Sequence, residues 1–197
     1  MRRGFKSQAE RLASDTRERL GLRPTDPMSI ADLARDQGVE IVDALSLLPK
    51  ERFDELQEIQ SDAFSAATFR LPNGRRAIIT NPLHSEGRTR SNQCHELAHI
   101  ILQHSVRTVE RLGDQTFLTC DLEQEQEADW LAGCLLLPRE LLMREVRRGL
   151  SATDIARVHS TSEDMARFRL NASGVLIQLA RSKMSGTKNA GRRPTLH

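Results

Sequence analysis

A chain of 197 residues with 29 Lys and Arg against 27 Asp and Glu carries a formal net charge of +2, too little to steer nucleic acid by a global field. Its length suits one domain with appendages and a real hydrophobic core, and no stretch approaches the ~18 apolar residues of a membrane span. Three cysteines, Cys94, Cys120 and Cys134, are an odd number at no metal-ribbon spacing, which points to a reducing, cytoplasmic compartment; residues 1–15 lack the apolar run of a signal peptide.

Residues 7–22 form the first predicted helix, with Ala9, Leu12, Ala13 and Leu20 on one side. Pro24 and Pro27 break it. Ser29 then caps a second helix running to Gln37, and Gly38 stops it before a strand over Val39–Val42. Residues 49–62 are charged and take no assignment. Residues 63–71 and 75–80 flank Pro72-Asn73-Gly74 and read as a hairpin, because Asn-Gly favours the primed turn. Its edge either holds a substrate as an added strand or is plain structure, and the sequence leaves both open.

The next helix carries His95-Glu96-Leu97-Ala98-His99. Residues i and i+4 lie one turn apart on one helical face, so both imidazoles reach a single zinc ion. Glu96 then sits beside the metal and takes a proton from a zinc-bound water. A zinc site needs a third protein ligand. The metzincin solution fails: where it requires Gly and His this chain has Leu102 and Ser105, and His104 is one residue off. The other solution is a Glu on a second helix with an Asp four residues later. Glu125, Ala128, Asp129 and Ala132 share such a face, and the alanines permit close approach. Glu125 is the assigned ligand and Asp129 the partner that fixes a histidine tautomer. Glu127 points roughly 160° away from Glu125 and is the alternative. Cys94, one residue before His95, points elsewhere and reads as packed.

Beyond Pro138, residues 141–148 form a basic helix. Residues 151–158 and 163–171 read as two short helices about a tight turn, with Arg157, Arg167 and Arg169 on the outside. That outline is a helix-turn-helix, but Glu163 and Asp164 open the second helix with charge that repels phosphate. A scaffold or protein dock is therefore favoured over direct DNA binding. The tail from Arg181 is basic and polar and reads as disordered. The expected division is 1–50 as an N-terminal helical region, 51–138 as the catalytic core, 139–180 as a helical subdomain and 181–197 as tail.

Four stretches together resemble the ImmA/IrrE family of zinc metallopeptidases: Ile78-Ile79-Thr80-Asn81-Pro82, residues 88–102 around the histidines, residues 125–132, and Leu135-Leu136-Leu137-Pro138. Residues 26–34 and 38–42 also fit the family's opening. The departures are Cys94, Ala98 and Asp129, none of which removes a ligand. The resemblance implies an α+β, mostly helical fold: a zincin-like core, a small sheet beside the histidine helix and a C-terminal helical subdomain. It also implies a cytoplasmic endopeptidase that cuts a helix-turn-helix repressor and so derepresses mobile-element or stress-response genes. The expected cofactor is Zn2+, with Mn2+ as the alternative. The chain contains no Tyr, so the donor to the transition-state oxyanion must come from elsewhere, with His84, His104 and Arg88 as candidates. Two rivals stand beside the peptidase: a DNA-binding regulator with a non-catalytic metal site, and a protein that sequesters a repressor without cutting it.

Overall fold

The computed structural model describes residues 1–59, 65–71, 74–104, 108–112, 115–119 and 121–190. Helix α1 (Phe5–Arg19) buries Phe5, Ala9 and Ala13 at a four-residue spacing. It starts and stops earlier than its apolar pattern suggests. Gly21 adopts a left-handed φ of 71°, the Gly21 N–H bonds the Glu18 carbonyl and the Leu22 N–H that of Arg17, closing the helix in a Schellman turn. Helix α2 (Ile30–Asp36) is capped by the Ser29 hydroxyl, which accepts from the Asp32 N–H, and leads to strand β1 (Val39–Val42). A short 3-10 turn (Ala44–Ser46) and helix α3 (Lys50–Ile59) follow.

Strands β2 (Ala66–Arg70) and β3 (Arg76–Thr80) pair antiparallel, with Thr68 opposite Ile78. The hairpin is as expected, although Pro72 and Asn73 of its turn lie outside the described residues. Strand β1 joins parallel to β3, giving the order β1-β3-β2 with β2 at an edge. Ser85 caps helix α4 (Glu86–Ile101), which carries both histidines. A separate two-stranded ribbon, β4 (Thr108–Leu112) with β5 (Gln115–Thr119), follows in a stretch to which the sequence assigned nothing. Asp121 caps helix α5 (Leu122–Leu136). Helices α6 (Arg139–Arg147), α7 (Ala152–Val158), α8 (Glu163–Ala172) and α9 (Val175–Ala190) complete the described chain. The fold is thus α+β and mostly helical, with a small mixed sheet beside the histidine helix.

Helix α5 is central. It buries Ala128, Leu131, Ala132, Gly133, Cys134 and Leu135 between α1, α4 and α8. Cys94, Leu97 and Ala98 of α4 meet it, the Cys94 thiol donating to the Ala132 carbonyl at 3.7 Å. Burial pushes both the Cys94 and Cys134 thiols up to about 12, so each stays protonated and inert. One apolar cluster runs from Phe5 of α1 through Ile78 of β3 to Leu170 of α8 and Val175 of α9.

Arg169 does not face outward as the sequence suggested. It is fully buried, donating to the Leu137 carbonyl (3.2 Å) and to Glu10 (3.0 Å). The space comes from Gly133, where a Cβ would stand 2.4 Å from Arg169 Cδ. The helical residues 163–172 therefore pack as scaffold on α5. Helix α9 continues to Ala190, with no proline to interrupt it; residues 191–197 lie outside the described set.

The α7–α8 turn is clamped onto the start of α4. Arg90 Nε donates to the Ser160 carbonyl, its Nη2 to the Met28 carbonyl, and the Ser162 N–H to the Ser91 hydroxyl, all at 2.9 Å. Gly87 permits that approach, because a Cβ there would lie 2.4 Å from the Thr161 carbonyl oxygen. Gly87→Ala gains helix propensity yet collides with backbone, so a net loss of about 1–3 kcal/mol is expected in chemical denaturation. Among the described residues no helix is long and apolar enough to cross a membrane.

Candidate metal centre

Helix α4 presents His95 and His99 one turn apart, and α5 lies against it with Glu125 at the level of both rings. The two Nε2 atoms are 3.0 Å apart. Glu125 Oε2 lies 3.1 Å from His95 Nε2, and its Oε1 3.6 Å from His99 Nε2. Among the described residues, these three form the one group whose donor atoms all fall within 4.8 Å of one another. Ligands held ~2.0–2.2 Å from a tetrahedral ion would stand roughly 3.2–3.6 Å apart; one separation lies in that window and the other two fall 0.1–0.2 Å short of it, and a donor set of two imidazoles and a carboxylate suits zinc or manganese.

Both imidazoles are oriented from behind. Asp129 Oδ1 accepts from His95 Nδ1 at 2.8 Å, which directs Nε2 toward the centre. His104 Nδ1 lies 3.0 Å from His99 Nδ1, doing for His99 what Asp129 does for His95. His104 Nε2 in turn stands 3.5 Å from Glu127 Oε2. Glu127 is 2% exposed and is gripped by Arg2 through two side-chain bonds of 2.9 Å and one backbone N–H. The alternative ligand thus sits in the layer behind His99. Burial and the adjacent His99 ring lower the proton affinity of His104, in keeping with a neutral ring that can share one proton with His99.

Glu96 is 6% exposed and turns toward the sheet, where Thr68 Oγ1 of β2 donates to its Oε2 at 2.6 Å. Sequence reasoning missed Thr68: it expected a strand beside the helix, but no local signal sets the register that brings residue 68 to residue 96. Of the proposed oxyanion donors, Arg88 lines a cleft of about 630 Å³ with Asn92, His95, Asp129, Asp164 and Phe168. His84 pairs with Asn92 at 3.3 Å at the start of α4, and His104 lies behind His99.

Stripped of any ion, the centre would retain a proton on His95. Burial opposes charge on His95, but hydrogen bonds to Asp129 and Glu125 outweigh it and raise the ring from 6.5 to about 9. Bonds from His95 and His99 hold the Glu125 carboxyl well below the usual carboxylate range. A raised histidine contributes stability that is complete below its unfolded value and disappears as pH rises through its folded one. The metal-free protein is therefore expected to lose melting temperature between pH 6.5 and about 9. His95→Gln, which carries no such proton, should flatten that slope in the same thermal melts.

The profile of the IrrE N-terminal-like domain family, Peptidase_M78, matches residues 51–171, more than half of the chain. The chain belongs to this family. No curated protein and no solved structure matches it. The matched stretch runs from α3 to α8 and contains Thr68, His95, Glu96, His99, Glu125 and Asp129. Membership carries a metallopeptidase-like activity at the level of the family. Helices α1 and α2 and strand β1 lie outside the match, yet β1 completes the sheet and Arg2 and Phe5 complete the support of α5.

Proposed function

We propose that this chain is a zinc-dependent endopeptidase that cleaves a helix-turn-helix repressor at a defined site, relieving repression of mobile-element or stress-response genes. The observation that carries the proposal is the convergence of His95, His99 and Glu125 on one point, with Glu96 on the same helix. These three residues would hold the ion, zinc with manganese as the alternative. When bound, it supplies Lewis acidity to a water and to the scissile carbonyl.

The rest is the work of the protein's own groups. Glu96 accepts the proton of the attacking water at its carboxylate and delivers it to the leaving amine. Thr68 fixes one oxygen of that carboxylate, so the base enters the reaction already oriented. Asp129 and His104 keep the two ligand rings turned inward. Arg88, lining the cleft beside His95, is the donor proposed for the developing oxyanion. The backbone of β2, at the sheet edge, holds the substrate as an added strand. Specificity for one folded partner then comes from docking on α7 and α8, next to the same cleft.

Incubating the zinc-loaded chain with helix-turn-helix repressors encoded near its gene tests this. Intact-mass spectrometry is expected to show two fragments that sum to one repressor plus water. A stoichiometric complex without fragments would overturn the peptidase in favour of sequestration.

A further inference from the structure

The charge of this chain is divided along its length. Residues 1–138 contain 17 basic and 22 acidic side chains, a formal −5, whereas residues 139–197 contain 12 and 5, a formal +7. The net of +2 conceals this polarity. Helices α7 and α8 contribute nothing to this excess, because Arg157, Arg167 and Arg169 are matched in number by Asp154, Glu163 and Asp164.

The excess lies instead on α6 with its C-cap Arg148, on α9 and in the sequence of residues 191–197. Arg139, Arg144, Arg147 and Arg148 line one concavity of about 460 Å³, and Arg139 and Arg181 an adjoining one of about 800 Å³. Gln178 is shared by both, and Glu140 is the acidic side chain lining the first. Two features make the groove a built one. Arg139 ties the helices together, Nε donating to the Ser173 carbonyl at 3.2 Å and Nη2 to the Gln178 side chain. Glu145 is fully buried and pins two guanidiniums: Arg144 donates to it at 2.6 and 2.8 Å, Arg148 at 2.6 Å. A guanidinium has five N–H donors, more than one carboxylate takes, so arginines held in this way still present a fork to an outside anion.

We propose that the groove between α6 and α9 binds the phosphate backbone of double-stranded nucleic acid without reading its sequence. Several arginines on one surface, of which Arg139, Arg144 and Arg148 are held by hydrogen bonds, suit contact with successive phosphates. In sequence the excess continues to the last residue given: no acidic residue follows Asp164, while Lys183, Lys188, Arg192 and Arg193 do. The surface shares no residue with the metal centre, so the proposal does not depend on the peptidase. It would hold the chain close to DNA, where a helix-turn-helix protein resides.

The test is fluorescence anisotropy of the full chain with a labelled duplex of arbitrary sequence. Contact with about four phosphates predicts an affinity that falls roughly 100-fold between 50 and 200 mM salt. Arg147→Ala with Arg181→Ala should weaken binding at least ~10-fold and lower the log–log salt slope by about two. Arg157→Ala with Arg167→Ala should leave both unchanged, with thermal melts confirming that each pair is folded. The single variant Arg181→Ala should lower the slope by about one. Three results would each overturn the assignment: no binding at 50 mM salt, loss in the α7–α8 pair instead of the groove pair, or preference for polyglutamate or phosphatidylserine vesicles over the duplex.

Discussion

Replacing either His99 or Glu125 with alanine is expected to strip the metal from this protein. Wild type, purified and measured by plasma mass spectrometry, should carry about one zinc per chain, and each variant close to none. Three protein ligands with one position left open is the minimum for a hydrolytic zinc site. Removing one leaves two donors and a site that solvent and chelators can compete for. Glu125→Ala also removes the carboxylate that helps raise the proton affinity of His95. Asp129→Ala spares the ligands and loses only their orientation, so zinc affinity should fall by ~10–100-fold and not vanish. Retention of zinc by Glu125→Ala would transfer the third ligand to Glu127, which would have to leave Arg2 and His104 to serve. A wild type that takes up no metal when zinc is added would remove the basis for hydrolysis.

The second large effect is on turnover. Glu96→Gln should keep the metal and the fold while repressor cleavage falls by ~10²–10⁴. The amide has the shape of the carboxylate, and its oxygen can still accept from Thr68 Oγ1 where Oε2 does now. What it lacks is basicity toward water. Cleavage persisting at the wild-type rate in that variant would sink Glu96 as the base. Comparing the same metal analysis on both proteins separates a lost base from a lost ion.

Much of this centre is legible in the chain because its parts are local. His95 and His99 meet through helical periodicity alone, and Glu125 and Asp129 share a face of α5 for the same reason. The cap Ser29 and the stop at Gly38 act within a few residues of where they stand. The hairpin of β2 and β3 follows from a turn between two short apolar runs.

Other features depend on pairings between distant segments. Arg169 reads as an exposed residue of α8 until Gly133, 36 positions earlier, opens a place for it beside Glu10. His104 reads as a failed third ligand in sequence, yet the turn after α4 brings it to His99. The ribbon of β4 and β5 has too weak a pattern to announce itself, its residues being mixed polar and apolar on both strands.

By itself, then, the sequence determined the secondary elements with strong periodicity, the two-histidine face and the acid pair that complements it, because helical geometry relates residues three and four apart whatever surrounds them. Tertiary structure alone decided that Thr68 holds Glu96, that Arg2 closes on Glu127 and that Arg139 of α6 bonds to Gln178 of α9. Those contacts join residues far apart in the chain, and their register is set by how whole elements pack, which no local pattern encodes.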